Sequence, residues 1–137
     1  MFDLHGFAWS ALAFLIAFGA AGLFTVVFKV VYQAITPHDE GKLIREGNVA
    51  AALALGGALV GYVLPLASAL SNTHSLVEFC AWAALSGVIQ IAAFTLIRVL
   101  VMKDVAARIE RGELAAGVYL ASISIAVGLL NAACMTS

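Results

Sequence analysis

His38, Asp39 and Glu40, followed by Lys42, Arg45 and Glu46, bring six ionisable side chains into nine consecutive positions. An imidazole beside two carboxylates and two cations can handle ions at the mouth of a pore, or offer a charge-complementary surface to another protein. Helix capping accounts for the same residues without any chemistry. Thr36 can start a helix, Pro37 suits the first helical position, and Asp39 would lie in the positively polarised first turn. The candidate partner surface or gate is therefore Thr36, Pro37, His38, Asp39, Glu40, Arg45, Glu46 and Asn48. A second group is uncharged and lies within apolar stretches: Gln90, Asn131, Ser122 and Ser124, with Ser86 nearby. At that depth, amides and hydroxyls either hydrogen-bond between helices or line a polar permeation path.

Catalysis has little to work with. No Ser, His and carboxylate share a depth, no paired carboxylates lie in an apolar run, and Gly56-Gly57 sits in an apolar stretch where close packing explains it. The chain is expected to be non-enzymatic, with no cofactor and no metal. Cys80 and Cys134 fall at similar heights in a hairpin that turns around residue 107. A disulfide between them is geometrically open, the alternative being two small apolar fillers.

The elements that hold these groups follow from charge. Residues 6–28, 49–70, 79–97 and 114–135 contain no Asp, Glu, Lys or Arg, and each run is long enough to cross a hydrocarbon core of about 30 Å as a helix. At 64% hydrophobic and 11% charged, with mean hydropathy +1.06, the 137 residues cannot coat a water-soluble globule. The expected fold is all-α, a single integral membrane domain over residues 1–137 with four transmembrane helices. Lys29, Lys42, Arg45, Arg98, Lys103, Arg108 and Arg111 all fall after the first or the third run. The excess of Lys and Arg assigns loops 36–47 and 99–112 to the cytoplasm and both termini to the periplasm. Lys29 and Arg98, near the ends of their spans, are expected to reach the headgroups along their stems. The basic residues alternate with Asp39, Glu40, Glu46, Asp104, Glu110 and Glu113, so nucleic acid is not an expected partner.

Sliding the sequence by 65 residues places Phe14 on Phe79, Gly22 on Gly87, Asp39 on Asp104, Ile44 on Ile109 and Gly47 on Gly112. This predicts two parallel two-helix repeats, about 6–70 and 75–135. Each repeat would carry a short cytoplasmic interfacial helix, from Pro37 to Glu46 and from Asp104 to Arg111, stopped by Gly47 or Gly112. Asn48 would cap the second span. Small residues recur at spacings of three or four in that span, including Gly57 and Gly61, and in the fourth, including Gly117 and Gly128. The two even-numbered spans are therefore expected to form the close-packed centre, with Phe14, Phe18, Phe24 and Phe28 of the first facing lipid.

Thr36-Pro37-His38-Asp39-Glu40, then Ile44-Arg45-Glu46-Gly47-Asn48-Val49-Ala50-Ala51, then a span carrying Gly56, Gly57 and Gly61, resembles the YjfL-type bacterial inner-membrane proteins, domain of unknown function 350. The likeness covers essentially the whole chain. It implies a small inner-membrane protein of the cell envelope, and it carries over no catalytic residue. Some relatives occur beside PspA-like membrane-stress proteins and ATP-grasp ligases, which implies an envelope-maintenance setting and a cytoplasmic partner of one of those kinds. The expected function is a structural or regulatory envelope component in the lipid bilayer, assembled as a homo-oligomer. The alternative is an oligomeric channel or transporter for ions or small polar solutes such as polyamines.

Overall fold

The computed structural model describes residues 3–36, 40–100 and 104–135. The elements are α1 (Leu4–Ile35), α2 (Glu40–Arg45), α3 (Val49–Asn72), α4 (Leu76–Leu100), α5 (Val105–Glu110) and α6 (Leu114–Cys134). Helices α1, α3, α4 and α6 are each long and apolar enough to cross a membrane. The chain is an all-α membrane protein of four spanning helices.

α1 overruns its charge-free stretch. It continues through Lys29 to Ile35, 32 residues in all, or about 48 Å at ~1.5 Å per residue. A charge limits burial in lipid, not helicity, so the excess length is taken up by tilt or by projection beyond the hydrocarbon. Thr36 closes this helix: its N–H and its hydroxyl both donate to the Tyr32 carbonyl, at 3.1 and 2.7 Å. The described part of α2 begins at Glu40, and Pro37, His38 and Asp39 lie outside the described residues.

Both short helices end in the same way. Gly47 and Gly112 have φ of 86° and 75°, a left-handed conformation that a side chain would strain. Gly47 N donates to the Ile44 carbonyl and Asn48 N to the Leu43 carbonyl, while Gly112 N donates to Ile109 and Glu113 N to Arg108. These paired bonds satisfy the last carbonyls of each helix and turn the chain directly into a span. Asn48 then caps α3, its Oδ1 accepting from Ala51 N at 3.0 Å.

The centre of the bundle is the α3–α6 crossing. Ala50, Ala51, Ala54, Gly57, Ala58 and Gly61 are buried on α3, and Ala116, Gly117, Leu120, Ser124 and Gly128 on α6. A Cβ added to Gly57 would overlap the Ala121 backbone, one on Gly117 the Ala50 backbone, and one on Gly128 the Gly61 carbonyl oxygen. The last approach has a local cause. Pro65 lies inside α3 and has no N–H to give the Gly61 carbonyl one turn earlier, and that carbonyl lies against the Gly128 Cα, where a weak C–H···O contact fits.

α1 is attached by aromatic rings. Phe28 stacks on Tyr62 at 4.4 Å and 11°, Phe24 meets Phe79 edge-on at 5.9 Å, and Tyr32 packs on Phe94 at 4.6 Å. The expectation that all four phenylalanines of α1 face lipid therefore fails for two. Phe14 and Phe18 are 65% and 67% exposed, but Phe28 is buried and Phe24 packs against the core. An α-helical face repeats every three to four residues, and Phe24 and Phe28 share the one that meets α3 and α4.

Candidate functional site

The charged end of the bundle is built where the end of α1, the short helices and the end of α4 converge. Glu40 is 1% exposed although it begins a short surface helix. Its carboxylate and the Arg98 guanidinium both lie within electrostatic reach of the buried Tyr32 hydroxyl. Arg98 reaches inward to its neighbours: Nη1 donates to the Ile35 carbonyl at 2.8 Å, and the guanidinium lies 5.5 Å from the Phe94 ring centroid. Lys29, by contrast, is exposed. The Arg98 contact has a local basis, because Ile35 is the last residue of α1 and carbonyls at a helix C-terminus take a cation readily.

The predicted ionic cluster is thus divided. Glu40 and Thr36 are buried, whereas Arg45 and Glu46 are exposed. Asn48 does more than cap α3: its Nδ2 donates to the Ile109 carbonyl at 2.7 Å, tying α5 to the α2–α3 turn. Val105 and Ile109 are fully buried, so α5 is seated by its apolar face. Beyond it, Arg108 forms an ion pair with Glu113, with Nε at 3.0 Å from Oε1, and Arg111 approaches the other oxygen at 3.5 Å. The hydrogen bond from Arg108 holds the Glu113 carboxyl below its usual range and raises the guanidinium in turn.

Within the spans, polar side chains bond to the backbone of a neighbouring helix. Gln90 Nε2 donates to the Ser124 carbonyl at 2.8 Å, Asn131 Nδ2 to Ser86 at 3.2 Å and Tyr62 Oη to Ala83 at 2.9 Å. Gln90, Ser124 and Asn131 therefore belong to one layer joining α4 and α6. Ser122 does not join it, since its hydroxyl returns to the Val118 carbonyl on an exposed face. Ser68, which sequence reasoning passed over, links α3 to the Ala132 carbonyl at 3.0 Å. Cys80 packs against the core and Cys134 lies on the surface.

Comparison with known proteins agrees with this architecture. The model of the Domain of Unknown Function family DUF350 matches residues 3–135. The chain belongs to the DUF350 family. It is similar to the UPF0719 inner membrane protein YjfL of Escherichia coli (strain K12), 40% identical over 127 residues that cover 93% of this chain and 96% of the relative. It is also similar to the UPF0719 transmembrane protein YshE of Bacillus subtilis (strain 168), 25% identical over 117 residues, 85% of this chain and 87% of the relative. No solved structure matches it.

In this DUF350 chain, sequence reasoning missed Tyr32 and the inward role of Arg98. Tyr32 lies eight residues before Glu40 and Arg98 fifty-eight after it, so no local spacing links the three. The available hint was a tyrosine at the end of an apolar run that leads into a charged segment.

Proposed function

We propose that this protein is a non-enzymatic component of the bacterial inner membrane that works as a structural or regulatory scaffold, presenting α2 and α5 to a cytoplasmic partner. The observation that carries the reading is the division of polar groups. Those inside the bundle are committed to neighbouring backbone carbonyls through Gln90, Asn131 and Tyr62, while Lys42, Arg45, Glu46, Glu110 and Arg111 lie exposed on or beside the short helices. The basic residues of loops 36–47 and 99–112 favour the cytoplasmic face for this end, with both termini periplasmic. The matching glycine turns at Gly47 and Gly112, 65 positions apart in the sequence, support the reading of two parallel repeats. The family setting suggests envelope maintenance or membrane stress, and a PspA-like or ATP-grasp protein as the partner. Exposed lipid-facing surfaces on all four spans leave room for homo-oligomer contacts.

The test uses the full chain in liposomes. A purified PspA-like protein should co-sediment with these vesicles, lose binding on Arg45→Glu with Glu46→Lys, and retain it on Ser122→Ala, with no ion or polyamine flux. Flux that Gln90→Leu or Asn131→Leu abolishes would instead establish the transport reading and remove this one.

A further inference from the structure

Gln90 is 3% exposed, and its side-chain amide is oriented by the bond from Nε2 to the Ser124 carbonyl. Exchanging its two ends would set Oε1 against that carbonyl, acceptor facing acceptor, so the orientation is determined by chemistry. Oε1 itself is buried and receives no hydrogen bond from the described residues. A carbonyl oxygen in that position has given up the bonds that water supplied before burial, which is unfavourable in an apolar surrounding.

A cavity of about 10 Å³ lies against this amide, walled by Gln90, Phe94, Leu120, Ile123 and Ser124 among others. That is the room one water molecule needs, and too little for any larger ligand. Gln90 and Ser124 are the polar side chains of the wall, the remainder being apolar. α3 comes close to the amide at Gly61, where an added Cβ would lie 2.8 Å from Gln90 Nε2.

We propose that the chamber holds a single ordered water, donating to Gln90 Oε1 and bonded to the Ser124 hydroxyl. This makes Gln90 and Ser124 a closed hydration site within the bundle, whose occupant does not exchange along a continuous path. The site completes the hydrogen bonding of the layer that joins α4 to α6, and it stands apart from whether a partner docks at the charged end.

Solid-state NMR of the full chain in liposomes, with glutamine and alanine labelled, tests it. Gln33 is the other glutamine of the chain, and Gln33→Glu removes its signal. Magnetisation from water should reach the Gln90 side chain while the buried Ala54 and Ala58 of α3, which do not line the chamber, stay dry, and a water-soluble paramagnetic chelate should leave that transfer intact. Ser124→Ala should abolish the transfer with helicity retained. Should Ser124→Ala not fold, the wild-type comparison of Gln90 with Ala54 and Ala58 remains decisive. A Gln90 side chain as dry as those two α3 alanines, transfer quenched by the chelate, or transfer unchanged in a folded Ser124→Ala variant would overturn the proposal.

Discussion

The α3–α6 seam and the attachment of α1 use the same apolar alphabet to opposite effect. Along the seam, most of the facing side chains are hydrogen or methyl, and Gly57, Gly117 and Gly128 each meet the backbone of the opposite helix. α1 instead reaches its neighbours through Phe24, Phe28 and Tyr32, and open grooves flank it. One of about 400 Å³ runs between Phe24, Phe28 and the Gly87 face of α4, and one of about 370 Å³ between Phe18, Gly22 and Leu66. Lipid tails are as apolar as leucine, so sequestering apolar area gains little there and association depends on how closely atoms pack. The seam is consequently the rigid unit, and α1 is the element whose position a few rings determine.

The largest expected effect is at the seam. Gly128→Ala drives a methyl into the Gly61 carbonyl, and denaturant unfolding in micelles should show a loss in the overpacking range, about 1–3 kcal/mol; Gly128→Leu should fail to fold. At the charged end of the seam, Asn48→Ala removes both the α3 cap and the tie to Ile109, an expected loss of about 1–2 kcal/mol. Faster hydrogen exchange across α5 would check it. For α1, Phe28→Ala should lose the ring pairing with Tyr62, about 0.5–1.5 kcal/mol, whereas Phe18→Ala should leave unfolding unchanged. Equal responses from the two phenylalanines would erase the distinction between the inner and lipid-facing sides of α1.

The smallest effect is electrostatic. Arg108 holds the Glu113 carboxyl below its ordinary range, so the folded form binds a proton there less readily than the unfolded chain. The resulting stabilisation is present at neutral pH and is lost as the pH falls through and below the ordinary carboxylate range. Protection factors in α5, corrected for the pH dependence of intrinsic exchange, should therefore fall between neutral pH and about pH 3, and Glu113→Gln should flatten that dependence.

The four spans were legible because the absence of charge over a membrane's thickness is a one-dimensional signal. Gly57, Gly61 and Gly128 also stand out by spacing, and the structure sets them against the opposite helix. Other features needed the third dimension. Phe28 and Phe18 look alike in an apolar sequence, and only the packing of α1 on α3 and α4 separates them. The end of α1 was misread because Lys29 interrupts apolarity without interrupting the helix, which carries Tyr32 and Thr36 into a junction with Arg98. Thr36 is chemically suited to either end of a helix, and its hydroxyl bonds backward to Tyr32.

Gly56 and Gly57 adjoin on one helix and differ in what a methyl would meet: nothing within 4 Å at Gly56, the backbone of Ala121 at Gly57. Thermal unfolding of the two alanine variants in the same micelles compares them directly. Gly56→Ala should melt at or above the parent, consistent with the roughly 0.5–1 kcal/mol that alanine gains over glycine in a helix, and Gly57→Ala should melt well below it. Equal melting of the two, or the reverse order, would contradict a bundle centred on backbone contact between α3 and α6.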